Sequence, residues 1–228
     1  MSSEAPPPPP FARLRVPRPW YLVAAMILAW LIGVQGLSDS LSTLLFLHDA
    51  NLPDVEALTR GIKEAKEPIE ALAQVAEAAR LRSLGEASIL SFPLTTARFV
   101  LSILLVIASG MAMSGRPGSR TLAMQALLAN AALAVVSFWM LRHARYAWAD
   151  AVVQVRELMP DLNAPSPPEL QAWWTRMLDR RFWLWIPRIR LILFDVGALL
   201  LSATTLLSGR TRGFFEAVKE ASERSEEP

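Results

Sequence analysis

Four blocks of apolar residues, near positions 20–37, 94–113, 121–141 and 188–208, are each long enough to cross the hydrocarbon of a bilayer. Crossing takes about 20 consecutive apolar residues in a helix, because every backbone N–H and C=O must be satisfied within the segment. The stretches between the blocks are ordinarily polar, so the 53% apolar content is concentrated where a membrane demands it. The expected fold is an all-α polytopic membrane protein, with four transmembrane helices continuing into an extramembrane helical layer.

The domain organisation follows the same blocks. Residues 1–19 form a disordered basic tail with prolines from Pro6 to Pro10, followed by Arg13, Arg15 and Arg18. Residues 20–113 make a first half of span, helical hairpin and span. Residues 114–120 are a short turn, which forces its two flanking spans to be antiparallel neighbours. Residues 121–208 repeat the order span, helical segment, span, and 209–228 form an amphipathic and then acidic, disordered tail. A cleaved signal ending near Val34-Gln35-Gly36 is the rival reading of the first block, though its apolar region is long for a signal.

Between the first two spans, Val55, Leu58, Ile62, Ala65, Ile69, Leu72, Ala76 and Ala79 recur at spacings of three and four, the mark of one apolar helical stripe. Pro68 opens a helical segment within that stretch. The fourth span is expected to follow Pro187. Pro93 and Pro187 stand 94 positions apart, as do Ser114-Gly115-Arg116 and Ser208-Gly209-Arg210, a sparse echo compatible with duplication.

Arginines before the first span and in the short turn, Arg116 and Arg120, place both termini in the cytoplasm of a cell membrane. The fourth span opposes this, with more arginines before it than after it. The high Ala, Leu, Arg and Pro content points to a bacterial inner membrane.

Charge inside the spans is sparse. Arg98 lies about 24 Å along its helix from the turn and Asp195 about 21 Å from the end of its own, at 1.5 Å per residue. The two therefore share a depth, and Asp39 closes the far end of the first span. Unpaired charge at such depth costs several kcal/mol, so a structural ion pair is expected, with a proton or ion relay as the functional alternative. Gln125 and Asn130 are read as interhelical hydrogen-bonding groups, and Gly33 and Gly36 as sites of close helix approach.

Trp173, Trp174, Trp183 and Trp185 interleave with Arg176, Arg180, Arg181, Arg188 and Arg190. Tryptophan favours the headgroup region and arginine pairs with phosphate, so this segment is read as facing lipid headgroups or another anionic ligand. Aromatic–arginine mixtures also bind single-stranded nucleic acid, but a position flanking a span argues against that partner. His48 and His143 are the only histidines and make weak metal candidates, lacking the close helical spacing of a ligand pair.

The absence of cysteine excludes thiolate chemistry and thiolate metal sites. No phosphate-binding glycine loop, zinc helix or nucleophile elbow is present, so neither a cofactor nor a catalytic set is assigned. The chain reads as a non-enzymatic scaffold, accessory subunit or sensor whose partners are the bilayer and a protein partner or a second copy of itself. The alternative is a small transporter or channel subunit using Arg98 and Asp195.

Overall fold

A computed structural model describes residues 18–49, 68–157 and 179–226. The described residues are helical, with no strand among them. The described residues form eight α-helices in order: α1 (Trp20–Asp49), α2 (Pro68–Glu86), α3 (Ser88–Ser114), α4 (Ser119–Met140), α5 (Arg142–Glu157), α6 (Arg180–Arg190), α7 (Leu199–Leu207) and α8 (Gly209–Glu226). A π-helical segment, Leu191–Ala198, joins α6 to α7, so these form one continuous rod. Among the described residues four helices are long and apolar enough to cross a membrane: α1, α3, α4 and the α6–π–α7 rod.

These four close into a ring in which α1 packs on α3, α3 on α4, α4 on the rod, and the rod on α1. The seam is built at helical spacing from Leu22, Met26 and Ala29 on α1, Leu105, Ala108 and Ala112 on α3, and their counterparts on α4 and α7. Alanine dominates it, which lets the backbones approach closely and replaces bulk with van der Waals contact. Gly33 and Gly36 serve the same contact. A Cβ at Gly33 would stand 2.9 Å from Val106 Cγ2, and one at Gly36 2.6 Å from Ser102 Oγ.

Polarity is inverted relative to a water-soluble bundle. Ser102, Ser109 and Ser202 are buried, while Leu31, Ile107, Ile192 and Leu201 are at least half exposed. The buried hydroxyls are satisfied within the bundle: Ser109 donates to Leu105 O at 2.6 Å, and Ser202 to Ala25 O across to α1 at 3.1 Å. Water would penalise such an apolar exterior and hydrocarbon would not. The architecture therefore suggests a multi-pass membrane protein.

The two ends of the bundle differ. At the turn end, Gly115 adopts φ 70° and the last turn of α3 is closed by Arg116 N–H donating to Met111 O and Gly115 N–H to Ala112 O. Arg18 donates to Met113 O at 3.1 Å and Arg120 to Leu206 O at 2.9 Å, placing cations on the open carbonyls of two helix C-termini. Phe214 and Phe215 of α8 are buried against the seam and cover this end.

At the opposite end α2 and α5 pack together over the mouths of the spans. Ala149 and Val152 of α5 and Trp183 of α6 form a second core, with Ala76 and Ala79 of the expected stripe packed against it. Trp148 donates its indole N–H to Ala76 O at 2.7 Å and meets Trp183 edge to face at 5.5 Å. Trp148→Phe removes the hydrogen bond while keeping an aromatic ring. It is expected to destabilise the chain by about 1 kcal/mol, lowering the thermal midpoint in detergent micelles by about 2–4 °C. An unchanged midpoint would show that this layer is held without it.

Several expectations need correction. The rod begins at Arg180, not after Pro187: the helix carries this proline in its interior, where its fixed φ is helical and the cost is a lost donor and a crowded carbonyl one turn back. Of the apolar stripe, Val55, Leu58, Ile62 and Ala65 lie outside the described residues, and its later part is on α2, which ends at Glu86 with a turn at Ala87 before α3. The expected disordered acidic tail is helical to Glu226, anchored by Phe214 and Phe215 and bearing a Lys219–Glu223 pair one turn apart. The echo is not one of local geometry: Gly115 is left-handed at a loop, whereas Gly209 opens α8 directly behind an extended Ser208.

Candidate functional site

Where the rod, α1 and α3 meet below the α2/α5 layer, four charged side chains form an alternating chain. Arg98 of α3 donates to Asp195 Oδ1 at 3.2 Å. Arg190 of α6 donates to Asp39 Oδ2 of α1 at 2.6 Å and lies 3.8 Å from Asp195 Oδ2 through its Nε. Asp195 is the most enclosed member, its side chain 16% exposed, while the other three are each about a third or more exposed. Two guanidiniums and two carboxylates leave no net charge, which is the arrangement a low-dielectric setting requires.

The placement of Arg190 depends on the π-helical segment. At 3.6 residues per turn, positions five apart lie about 140° apart around the axis. Hydrogen bonding from i to i+5 widens the turn and brings such positions back towards one face. Arg190 and Asp195 are five apart, and the segment that separates them is π-helical. Gly197 accommodates this turn, because a Cβ there would collide with the carbonyl oxygen of Ile192, five residues earlier.

A cavity of about 590 Å³ opens above the cluster, walled by both aspartates and both arginines and by Glu77, Arg80, Arg145 and Trp148 from the α2/α5 layer. Arg80 pairs with Glu77 at 2.7 Å. Arg145 has no carboxylate at salt-bridge distance among the described residues. It donates to Phe138 O and lies over the Phe138 ring. Burial pulls its guanidinium below the ordinary arginine pKa, with Arg188 acting in the same direction. On the other side of the cluster a cleft of about 470 Å³ runs between α1 and α6, lined by Ile32, Gly36, Ile186, Ile189 and Phe194. Arg98, Arg190 and Asp195 belong to the walls of both spaces.

The arginine–tryptophan segment divides into several roles. Trp173, Trp174 and Arg176 lie outside the described residues. Trp183 is 7% exposed and belongs to the second core, so it does not face headgroups. Arg180 pairs with Asp150, and Arg190 belongs to the charge cluster. Arg181, Trp185 and Arg188 are exposed, with the Arg188 guanidinium 5.4 Å from the Trp185 ring centroid.

Asn130 donates to Leu101 O at 2.9 Å across to α3, as an interhelical amide should, but Gln125 is on the exposed face of α4. His48 and His143 are both exposed, and no group of three His, Asp or Glu side chains could hold a metal among the described residues. No signal in the apolar periodicity marked Arg190 for the cluster, since an α-helical wheel turns it away from Asp195. No protein-family model, curated protein or solved structure is similar to this chain.

Proposed function

We propose that this chain is a non-enzymatic multi-pass membrane protein, a sensor or accessory subunit whose outer helical layer engages a ligand or partner. One observation carries the reading: a charged cavity lies between that layer and the mouths of the spans, while the opposite half of the bundle is filled. The turn end, with Arg18, Arg116 and Arg120, is assigned to the cytoplasm, as the arginine bias near short turns favours. The cavity then opens on the far side. Below it, Leu22, Met26, Leu105 and Leu206 pack to near-complete burial and α8 covers the exit, which favours a receptor-like site over a conduit.

The transporter reading is the rival, favoured by the Asp39–Arg190–Asp195–Arg98 chain at the cavity floor. Reconstitution in liposomes with a trapped pH-sensitive dye separates the two. The expected result is no proton flux above protein-free vesicles under an imposed potential. Flux that Asp195→Asn abolishes at an unchanged thermal midpoint would replace the sensor reading with transport.

A further inference from the structure

The ligand-binding half of that reading can be given a chemical class from the charges and shapes around the cluster, and the inference rests on it. The cavity wall holds four guanidiniums, Arg80, Arg98, Arg145 and Arg190, against three carboxylates, Asp39, Glu77 and Asp195, among the described residues. Each carboxylate has a guanidinium at bonding distance. Among the described residues Arg145 is left over, half-buried and held over Phe138, so they give the cavity one uncompensated cation. A desolvated guanidinium selects an anion that can offer two oxygens to its planar fork, a phosphate or a carboxylate.

The second space indicates what the anion is attached to. The cleft between α1 and α6 is lined chiefly by Ile32, Ile186, Ile189 and Phe194, and it shares Arg98, Arg190 and Asp195 with the cavity. Ile189 and Phe194 are about half exposed on the outside of the rod, at the edge that would face hydrocarbon. A polar chamber with a surplus cation, joined across a neutral ion-pair wall to an apolar groove, matches a molecule with an anionic head and a hydrocarbon tail.

We propose that the cavity and cleft together bind one anionic membrane amphiphile, with its phosphate or carboxylate head at Arg145 and an acyl chain along Ile189 and Phe194. The neutral cluster then acts as the sill between head and tail. It adds no charge of its own, so the selectivity resides in Arg145.

The test uses the full chain, delipidated in detergent, with binding read by native mass spectrometry. The probes are palmitoyl-oleoyl phosphatidylglycerol, phosphatidylcholine with the same chains, and glycerol phosphate as the free head. Wild-type protein should retain phosphatidylglycerol at least about tenfold better than phosphatidylcholine, and Arg145→Gln should erase most of that preference while Arg145→Lys keeps part of it. Because Arg145 also bonds to α4, a second variant leaves it untouched: Ile189→Trp fills the cleft and should weaken phosphatidylglycerol about tenfold. Equal retention of the two lipids, or an anionic preference unchanged in Arg145→Gln, overturns the proposal. Glycerol phosphate binding as tightly as the lipid, with Ile189→Trp neutral, overturns the amphiphile and leaves a free-anion site. None of these failures bears on the flux test, whose outcome decides between sensor and transporter independently.

Discussion

Asp195→Ala is expected to lower the unfolding free energy by about 3 kcal/mol, the largest loss from any single charge removal in the cluster. Among the described residues Asp195 is the one carboxylate shared by two guanidiniums, Arg98 at 3.2 Å and Arg190 at 3.8 Å. Its removal takes from Arg98 the carboxylate it bonds, at a depth where the guanidinium is not fully hydrated, while Arg190 keeps Asp39 at 2.6 Å and loses the more distant of its two carboxylates. Stranding one partner of a buried pair costs about 3–5 kcal/mol, and the partial exposure of both arginines holds the figure to the lower end. Asp195→Asn keeps an acceptor for Arg98 and should lose less. The informative control is the double variant Arg98→Met/Asp195→Leu, which removes an ion pair together and should lie closer to wild type than Asp195→Ala does. Equilibrium unfolding in mixed micelles measures all three. A cost below about 0.5 kcal/mol for Asp195→Ala would mean that water reaches the cluster freely and that the pairing is not structural.

The parts of this fold that were legible in the sequence depend on composition over long windows. Apolar runs mark the four candidate spans because a helix in hydrocarbon must be apolar over its whole exposed circumference. The shared depth of Arg98 and Asp195 also follows from counting residues, since rise per residue varies little between helices. Depth alone does not say which faces meet. The Arg98–Asp195 contact requires α3 and the rod to turn those faces together, and apolar periodicity is weak in a helix that is apolar all round.

Composition alone assigns Trp183 to headgroups, yet Ala149, Val152 and Trp148 of a distant segment bury it. Tryptophan suits an interface and a core equally well, and only the partner decides. Gln125 failed for the converse reason. An amide on an apolar helix seeks a partner only if its face is turned to one, and Gln125 sits one position from the buried Ala126, on the outward face. Arg190 required a local departure from α geometry that no propensity rule encodes, because Leu191–Ala198 has an ordinary helical composition.

That departure gives the second large expected effect. Gly197→Ala should destabilise the chain by about 2–3 kcal/mol and should do so partly through Arg190. The added methyl meets the Ile192 carbonyl oxygen, a backbone atom that cannot rotate away as a side chain could. The simplest relief is closure of the wide turn to α-helical register, which removes one residue from the turn and rotates α6 relative to α7 by about 100°. Arg190 would then leave Asp195 and Asp39, and Trp183 would leave its seat against Trp148. Alanine is a better helix former than glycine by about 1 kcal/mol, so propensity alone predicts a gain and the sign of the result is diagnostic. A double-mutant cycle with Arg190→Ala tests the mechanism. If the π-helical segment exists to present Arg190, the loss in the double variant will fall short of the sum of the two single losses by about 1 kcal/mol or more, since the second change removes what the first has already displaced. Strict additivity would separate the collision at Gly197 from the cluster, and a stabilised Gly197→Ala protein would show that the wide turn is not required.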